Sequence, residues 1–447
     1  MNHFSYWYWL ILLCLSVPIQ ANPKAAGAFC QKYPKALGCE AKLASCNVCH
    51  SAPPSLNSYG ADIAKNLVGS LDVGLIAALD KVEGFDSDGD GIKNLDEIIQ
   101  AGFPGDASGK APGKVQLSYN PGQALKRIKA IYCQDSVTFE LMENLKKMAD
   151  PKALLHAELS KCLDSAYWKG EALFRLADKK IQPLAAIGFG GNVVVADYRY
   201  DYRLFSYIMS GDRDVRELLS AQYHIDINGN KVEGPIGREE PAQAGQRIVI
   251  GGGQPLVTVR RAGMMTTQWF LAFYTMFSIL PRNTASQVYR EYLGMDIAKG
   301  EGLMPVANEP RDVDKRKVAQ ADCAVCHSTL DPLAYSFSGY VGIETALALL
   351  FNTNGTYRGT GRAPYDAQGQ ILGQAVPDLL AWADVARNSD PFKKNIAHMM
   401  FTQALSREPM PHENAEFEAL WQGLPADSYS VNKMLHRFID TMAFGGG

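Results

Sequence analysis

Cys46-Asn47-Val48-Cys49-His50 and Cys323-Ala324-Val325-Cys326-His327 are two copies of one pattern, C-x-x-C-H, in a chain of 447 residues. Two thiols at this spacing can reach the two vinyl groups on one edge of a porphyrin, and the imidazole that follows can swing beneath the iron as its proximal ligand. The pattern predicts two covalently bound haem c groups, one held by Cys46, Cys49 and His50 and the other by Cys323, Cys326 and His327. Helices wrapped round a covalently held porphyrin are the simplest way to bury it, so each copy also predicts a helical unit. Two other chemistries use paired cysteines. A zinc ribbon needs its pairs ~15 to 20 residues apart, far closer than Cys49 and Cys323, and a thioredoxin-like pair gives no reason for a trailing histidine in both copies.

The chain has nine cysteines. Cys14 lies in the apolar run from Tyr6 to Pro18 (YWYWLILLCLSVP), which is followed by Ile19-Gln20-Ala21 and the polar Asn22-Pro23-Lys24. Residues 1–21 read as a signal peptide cleaved near Ala21. The run is shorter than the ~20 apolar residues of a spanning helix, so a periplasmic or secreted protein with no stable membrane span after cleavage is expected. Cys30, Cys39, Cys133 and Cys162 have no ligand-like spacing, and in an oxidising compartment two disulfides are expected of them. Cys30 with Cys39 would close a short loop and Cys133 with Cys162 would tie two predicted helices, although four cysteines allow three connectivities.

Composition excludes other classes. Hydrophobic residues at 47% and charged residues at 20%, with 40 Gly and 23 Pro, are ordinary globular usage. The net charge of −3, from 44 basic and 47 acidic residues, gives no general pull toward nucleic acid, so no nucleic-acid partner is expected.

Between the cysteine motifs the chain divides by pattern. A first unit, 22–113, contains the first C-x-x-C-H and closes in the Gly/Pro-rich Phe103-Pro104-Gly105 to Pro112-Gly113. It also contains Asp86-Ser87-Asp88-Gly89-Asp90-Gly91-Ile92-Lys93-Asn94-Leu95-Asp96-Glu97, which fits the twelve-residue calcium loop D-x-D-x-D-G-x5-E. Side-chain oxygens of Asp86, Asp88 and Asp90, the Ile92 carbonyl, Asn94 directly or through water, and a bidentate Glu97 would surround one Ca2+, and Gly91 permits the sharp turn. Flanking helices are expected at 73–82 and 95–101. A second unit, 114–318, has helical periodicity over 122–180 and a hairpin signal from Tyr223 to Val232, where Asn228-Gly229 supports a tight turn. A third unit, 319–447, begins with the second C-x-x-C-H and continues through helical segments at 343–351, 379–386, 392–405 and 431–444. The fold class expected is mainly α: two c-type cytochrome-like helical units flanking a mostly helical middle unit with a small β-hairpin.

The first unit resembles small exported c-type cytochromes of the Leu-Asn-x-Tyr-Gly kind, in which C-x-x-C-H is followed by that motif and then by a calcium-type Asp loop. The matching residues are Cys46, Cys49, His50, Leu56, Asn57, Tyr59, Gly60, Asp86, Asp88, Asp90, Asn94 and Glu97. The remainder is similar to cytochrome-associated domains abundant in planctomycetes and related bacteria. The similarity lies in Phe205-Ser206-Tyr207-Ile208-Met209, Arg216-Glu217-Leu218-Leu219, Arg261-Ala262-Gly263-Met264-Met265-Thr266, the second C-x-x-C-H with Asp331-Pro332-Leu333, and Thr356-Tyr357-Arg358. Ala334-Tyr335 stands where that family has Gly-Phe. Both resemblances imply an exported haem protein.

The distal iron ligands decide the mechanism, because six-coordinate iron shuttles electrons and an open sixth position binds small molecules. From Asn22 to Leu141 the chain has no Met, and no His apart from His50. The first haem is therefore open, ligated by a Lys or Tyr, or completed from Met142, Met148, His156 or His224. For the second, Met399 and Met400 have the range of a small c-type domain's axial Met; His398, Met410, His412, Met434, His436, Met264 and Met265 are alternatives. Electron transfer with a redox partner protein is the leading expectation. A peroxidase-like dihaem oxidoreductase with one open haem, and a cell-surface binding protein with structural haem, are the alternatives.

Overall fold

The computed structural model describes residues 23–34, 36, 39, 48–52, 55–99, 102–107, 119–182, 193–194, 198–237, 248–249, 254, 256–274, 280–341, 356–357, 368–410 and 413–446. The leader at 1–21, Cys46, His412 and the helical segment expected at 343–351 lie outside them. The fold is mainly α, with paired strands only in small two-stranded sheets among the described residues. No helix among these residues is long and apolar enough to cross a membrane. The chain divides into two compact units, Met1–Gln116 and Leu117–Gly447.

The first unit comprises α1 (Pro23–Lys32), the strand pair β1 (His50–Ala52) and β2 (Ser55–Leu56), α2 (Ser58–Asn66), α3 (Leu71–Val82) and α4 (Asn94–Ile99). Cys30 and Cys39 form a disulfide at the end of α1. Phe29, Tyr33, Tyr59, Ile63, Leu75, Leu79, Val82 and Ile98 make the core, on which α1 and α2 both lean against α3. The expected helix-loop-helix around Asp86 is present as α3, the loop and α4.

The second unit begins with α5 (Pro121–Tyr132), α6 (Phe139–Lys147) and α7 (Pro151–Leu163). Asn120 and Asp150 cap α5 and α7 ahead of a proline in the first turn, a start signal at both helices. A Cys133–Cys162 disulfide joins the end of α5 to α7. After a π-helical turn at Trp168–Ala172 come α8 (Leu173–Ile181), β3 (Val193–Val194), α9 (Arg199–Met209) and α10 (Glu217–Ser220). The expected hairpin is β4 (Tyr223–Ile225) against β5 (Lys231–Glu233), antiparallel. Its turn is longer than a two-residue Asn-Gly turn: Asp226 Oδ1 accepts the amides of Asn228 at 2.9 Å and Asn230 at 2.7 Å.

Next follow β6 (Ile248–Val249), α11 (Gln268–Tyr274), α12 (Arg282–Leu293) and α13 (Ala321–Tyr335). The strands β7 (Tyr340–Val341), β8 (Thr356–Tyr357), β9 (Gly369–Ile371) and β10 (Gln374–Val376) precede α14 (Leu379–Asn388) and α15 (Asp390–Leu405). The unit closes with α16 (Asn414–Gln422), α17 (Val431–Phe438) and α18 (Met442–Gly445). The boundary expected at 318/319 does not separate two bodies. One apolar core runs from Ala124 to Phe444, α12 packs on both α13 and α15, and α18 returns to α5. α10 and α12 pack against α14, α13 and α15 from the last third of the chain.

Candidate functional site

The second C-x-x-C-H opens α13. At 3.6 residues per turn, Cys323, Cys326 and His327 share one face, and Asp331, four residues on, continues it. Cys323 is exposed, Cys326 and His327 are half-buried, and neither cysteine is in a disulfide. His327 Nδ1 donates to Asp331 Oδ1 at 2.9 Å. Asp331 is 0% exposed and is gripped from its other side by a two-bond fork: Arg282 Nε to Oδ1 at 2.6 Å and Arg282 Nη2 to Oδ2 at 2.7 Å. The same guanidinium donates from Nη2 to Asp314 Oδ1 at 3.0 Å. Burial works against the Arg282 charge, but the bonds to Asp331 and Asp314 outweigh it and hold its pKa above the ordinary guanidinium value. Asp314 is correspondingly held low, first by its hydrogen bond to Arg282. Pro332 interrupts the helix ladder here; the Ser328 carbonyl it would have engaged accepts instead from the Val306 amide at 3.1 Å.

The donor set suits haem. With Nδ1 committed to a carboxylate, Nε2 would be the ring nitrogen to meet a metal, and two thiols stand on the same face. Sequence reasoning named His327 and the thiols but saw Asp331 only as part of a family motif, and missed Arg282 and Asp314. The i, i+4 spacing of His327 and Asp331 was the available signal.

At the first copy, Cys49 and His50 lie within the described residues. The Leu56-Asn57-x-Tyr59-Gly60 motif clamps this segment. Asn57 Oδ1 caps α2 by accepting the Gly60 amide at 2.8 Å, its Nδ2 donates to the Val48 carbonyl at 3.0 Å, and its own amide donates to the Cys49 carbonyl at 3.0 Å. A Cβ at position 60 would stand 2.0 Å from the Cys49 carbonyl oxygen, so only glycine fits. The Tyr59 hydroxyl is buried without a hydrogen-bond partner. Burial, and then the nearby Cys49, Glu83 and Glu97, push this phenol well above its ordinary range. An orphaned donor at this place fits a polar substituent of a bound group.

The Asp86 loop gathers acceptors. Asp86 Oδ1 accepts the amides of Gly89 at 2.8 Å and Asp90 at 3.1 Å, and Oδ2 that of Gly91 at 2.9 Å. Gly91 has φ +92°, a turn that side-chain-bearing residues resist. Carboxylate oxygens of Asp86, Asp88 and Asp90 lie within 4.8 Å of one another. Glu97 is 3% exposed, and both its oxygens and Asp88 Oδ2 are buried without a hydrogen-bond partner. Burial first, then Asp88, Asp90 and Asp86, push Glu97 up to about 8. The gathered group does not include Glu97; a cation that reached both Glu97 and the loop aspartates would remove both penalties. Asn94 Oδ1 accepts the Ser87 amide at 3.1 Å, and its Nδ2 donates to the Val82 carbonyl at 2.7 Å and Ser87 Oγ at 2.9 Å. It ties the two ends of the loop together. The Ile92 amide donates to Asp90 Oδ1 at 2.8 Å.

Of the sequence-named distal ligands, Met264, Met265, Met400 and Met434 are buried in the apolar core and Met399 packs partly buried at its edge. His224 accepts from Arg261 Nη1 at 2.8 Å, His398 bonds Glu408, and His156 and His436 pair through Nδ1 atoms 2.7 Å apart. The chain matches no family model, no curated protein and no solved structure.

Proposed function

We propose that the chain is an exported dihaem c-type cytochrome that transfers electrons between periplasmic or extracellular redox partners, with Ca2+ in the Asp86 loop. The observation that carries this is the duplicated C-x-x-C-H, supported at the second copy by a proximal imidazole whose Nδ1 is already committed. Bound haem supplies a one-electron iron couple. The protein's residues hold and tune it: Cys46, Cys49, Cys323 and Cys326 would attach it as thioethers by adding S–H across vinyl groups, and His50 and His327 would ligate iron. Asn57 and Gly60 fix the first attachment segment, and Asp331 orients His327. The calcium reading is supported by Glu97, whose buried carboxylate lacks a partner.

A second reading, a dihaem oxidoreductase with one open haem, is favoured by the lack of Met and of any further His between Asn22 and Leu141 and by the carboxylate on His327. The test is haem content of the purified mature protein by alkaline pyridine spectra, followed by visible and EPR spectra of both oxidation states. Two haems per chain are expected; one or none overturns the proposal. Two low-spin centres support electron transfer, whereas a high-spin centre that binds cyanide supports the second reading.

A further inference from the structure

The chain His327–Asp331–Arg282–Asp314, with Asp331 fully buried at its centre, places a full carboxylate on the proximal imidazole. We infer that Asp331 is a positioning residue that lowers the reduction potential of the iron at His327, and that Arg282 sets how strongly it does so. The inference rests on the reading of Cys323 to His327 as a haem site.

The physical reasoning starts from the proton on Nδ1. Donation to a carboxylate gives the imidazole more anionic character and makes it a stronger electron donor through Nε2. Reduction, Fe3+ plus one electron to Fe2+, removes one positive charge from the centre, so a more basic ligand favours the ferric side. Two features make Asp331 effective. It is 0% exposed, so water does not screen it, and the Arg282 fork holds it in place. Arg282 also draws on the same two oxygens and offsets part of the negative charge, while Asp314 in turn offsets Arg282. The strength of donation to His327 is therefore set by a balance among three charges beyond the ligand itself.

The experiment is a spectroelectrochemical titration of the full-length mature protein, wild type against Asp331→Asn, with haem content measured first. Asparagine keeps the shape and an acceptor oxygen but removes the charge. One of the two couples is expected to rise so that its reduced-to-oxidised ratio at fixed applied potential increases about tenfold, ~59 mV for one electron; the other couple, at His50, stays in place as internal control. Arg282→Lys, which keeps the positive charge and breaks the fork, is expected to move the same couple and leave the other in place, and it decides the matter if Asp331→Asn fails to fold. A variant with two haems and both couples unmoved overturns the inference, because a merely structural Asp331 alters stability without altering a potential. Wild-type protein without haem overturns the underlying reading itself, so the two failures are told apart.

Discussion

His224 shows how far a single side chain can depart from its ordinary chemistry. It is 1% exposed, and burial first, then the charge of Arg261, push its pKa from 6.5 down to about 2. Between those values the unfolded chain binds a proton that the folded chain refuses. Stability from neutral His224 is therefore complete above pH 6.5 and is lost as pH falls toward the folded value. The loss is about 2 kcal/mol at about pH 5, at ~1.36 kcal/mol per pH unit. Trp168, Trp269, Trp382 and Trp421 all lie in the second unit, so their fluorescence reads its urea midpoint. That midpoint is expected to fall between about pH 7 and pH 5, with His224→Gln flattening the slope; equal wild-type midpoints would contradict the assignment. At Gly60 the constraint is steric. Gly60→Ala is expected to destabilise the first unit by about 1 to 3 kcal/mol through the Cys49 carbonyl and to deplete haem from the first site alone, read by mass spectrometry of proteolytic fragments. Residue types at fixed spacing are legible in sequence because local spacing fixes which side chains share a helix face, as with His327 and Asp331. Partners brought by tertiary folding are not: Arg282 stands 49 residues from Asp331, and nothing local links them.

At the scale of elements, α3, the Asp86 loop and α4 were readable because each loop position has a distinct chemical demand. The tie that Asn94 makes across the loop was not, since spacing says nothing of where an amide side chain bonds. Added Ca2+ is expected to stabilise the first unit by ~2.7 kcal/mol at a hundred times its dissociation constant, and Glu97→Gln to abolish this while leaving the Asn94 tie intact. Calorimetric titration and thermal melts with and without chelator check it; identical melts would reject the site. The α5–α7 pair offers an independent test. The Cys133–Cys162 bridge spans a sequence separation of 29, for which chain entropy gives about 3 to 4 kcal/mol. Replacing both cysteines by serine is expected to lower the stability of the second unit by that order in urea titration, without altering either haem spectrum.

At the scale of the whole molecule, the helical class was evident from periodicity over 122–180 and at 379–386 and 392–405, but the number of bodies was not. Apolar faces on α10 and α12 gave no sign of which part of the chain would cover them; α14, α13 and α15 do so. The division at 116/117 predicts that residues 117–447 fold without the first unit, with Trp fluorescence and one haem per chain as the measures; a fragment that aggregates with exposed tryptophans would refute it. The two disulfides carry a further consequence, one of timing. Cys30 pairs with Cys39 and Cys133 with Cys162, so the bridges follow one another along the chain and never interleave. Were the chain exported amino terminus first, as proposed, each of these four sulfurs would meet its native partner before any sulfur of the later bridge had emerged. That order of emergence would favour this one of the three connectivities open to the four cysteines.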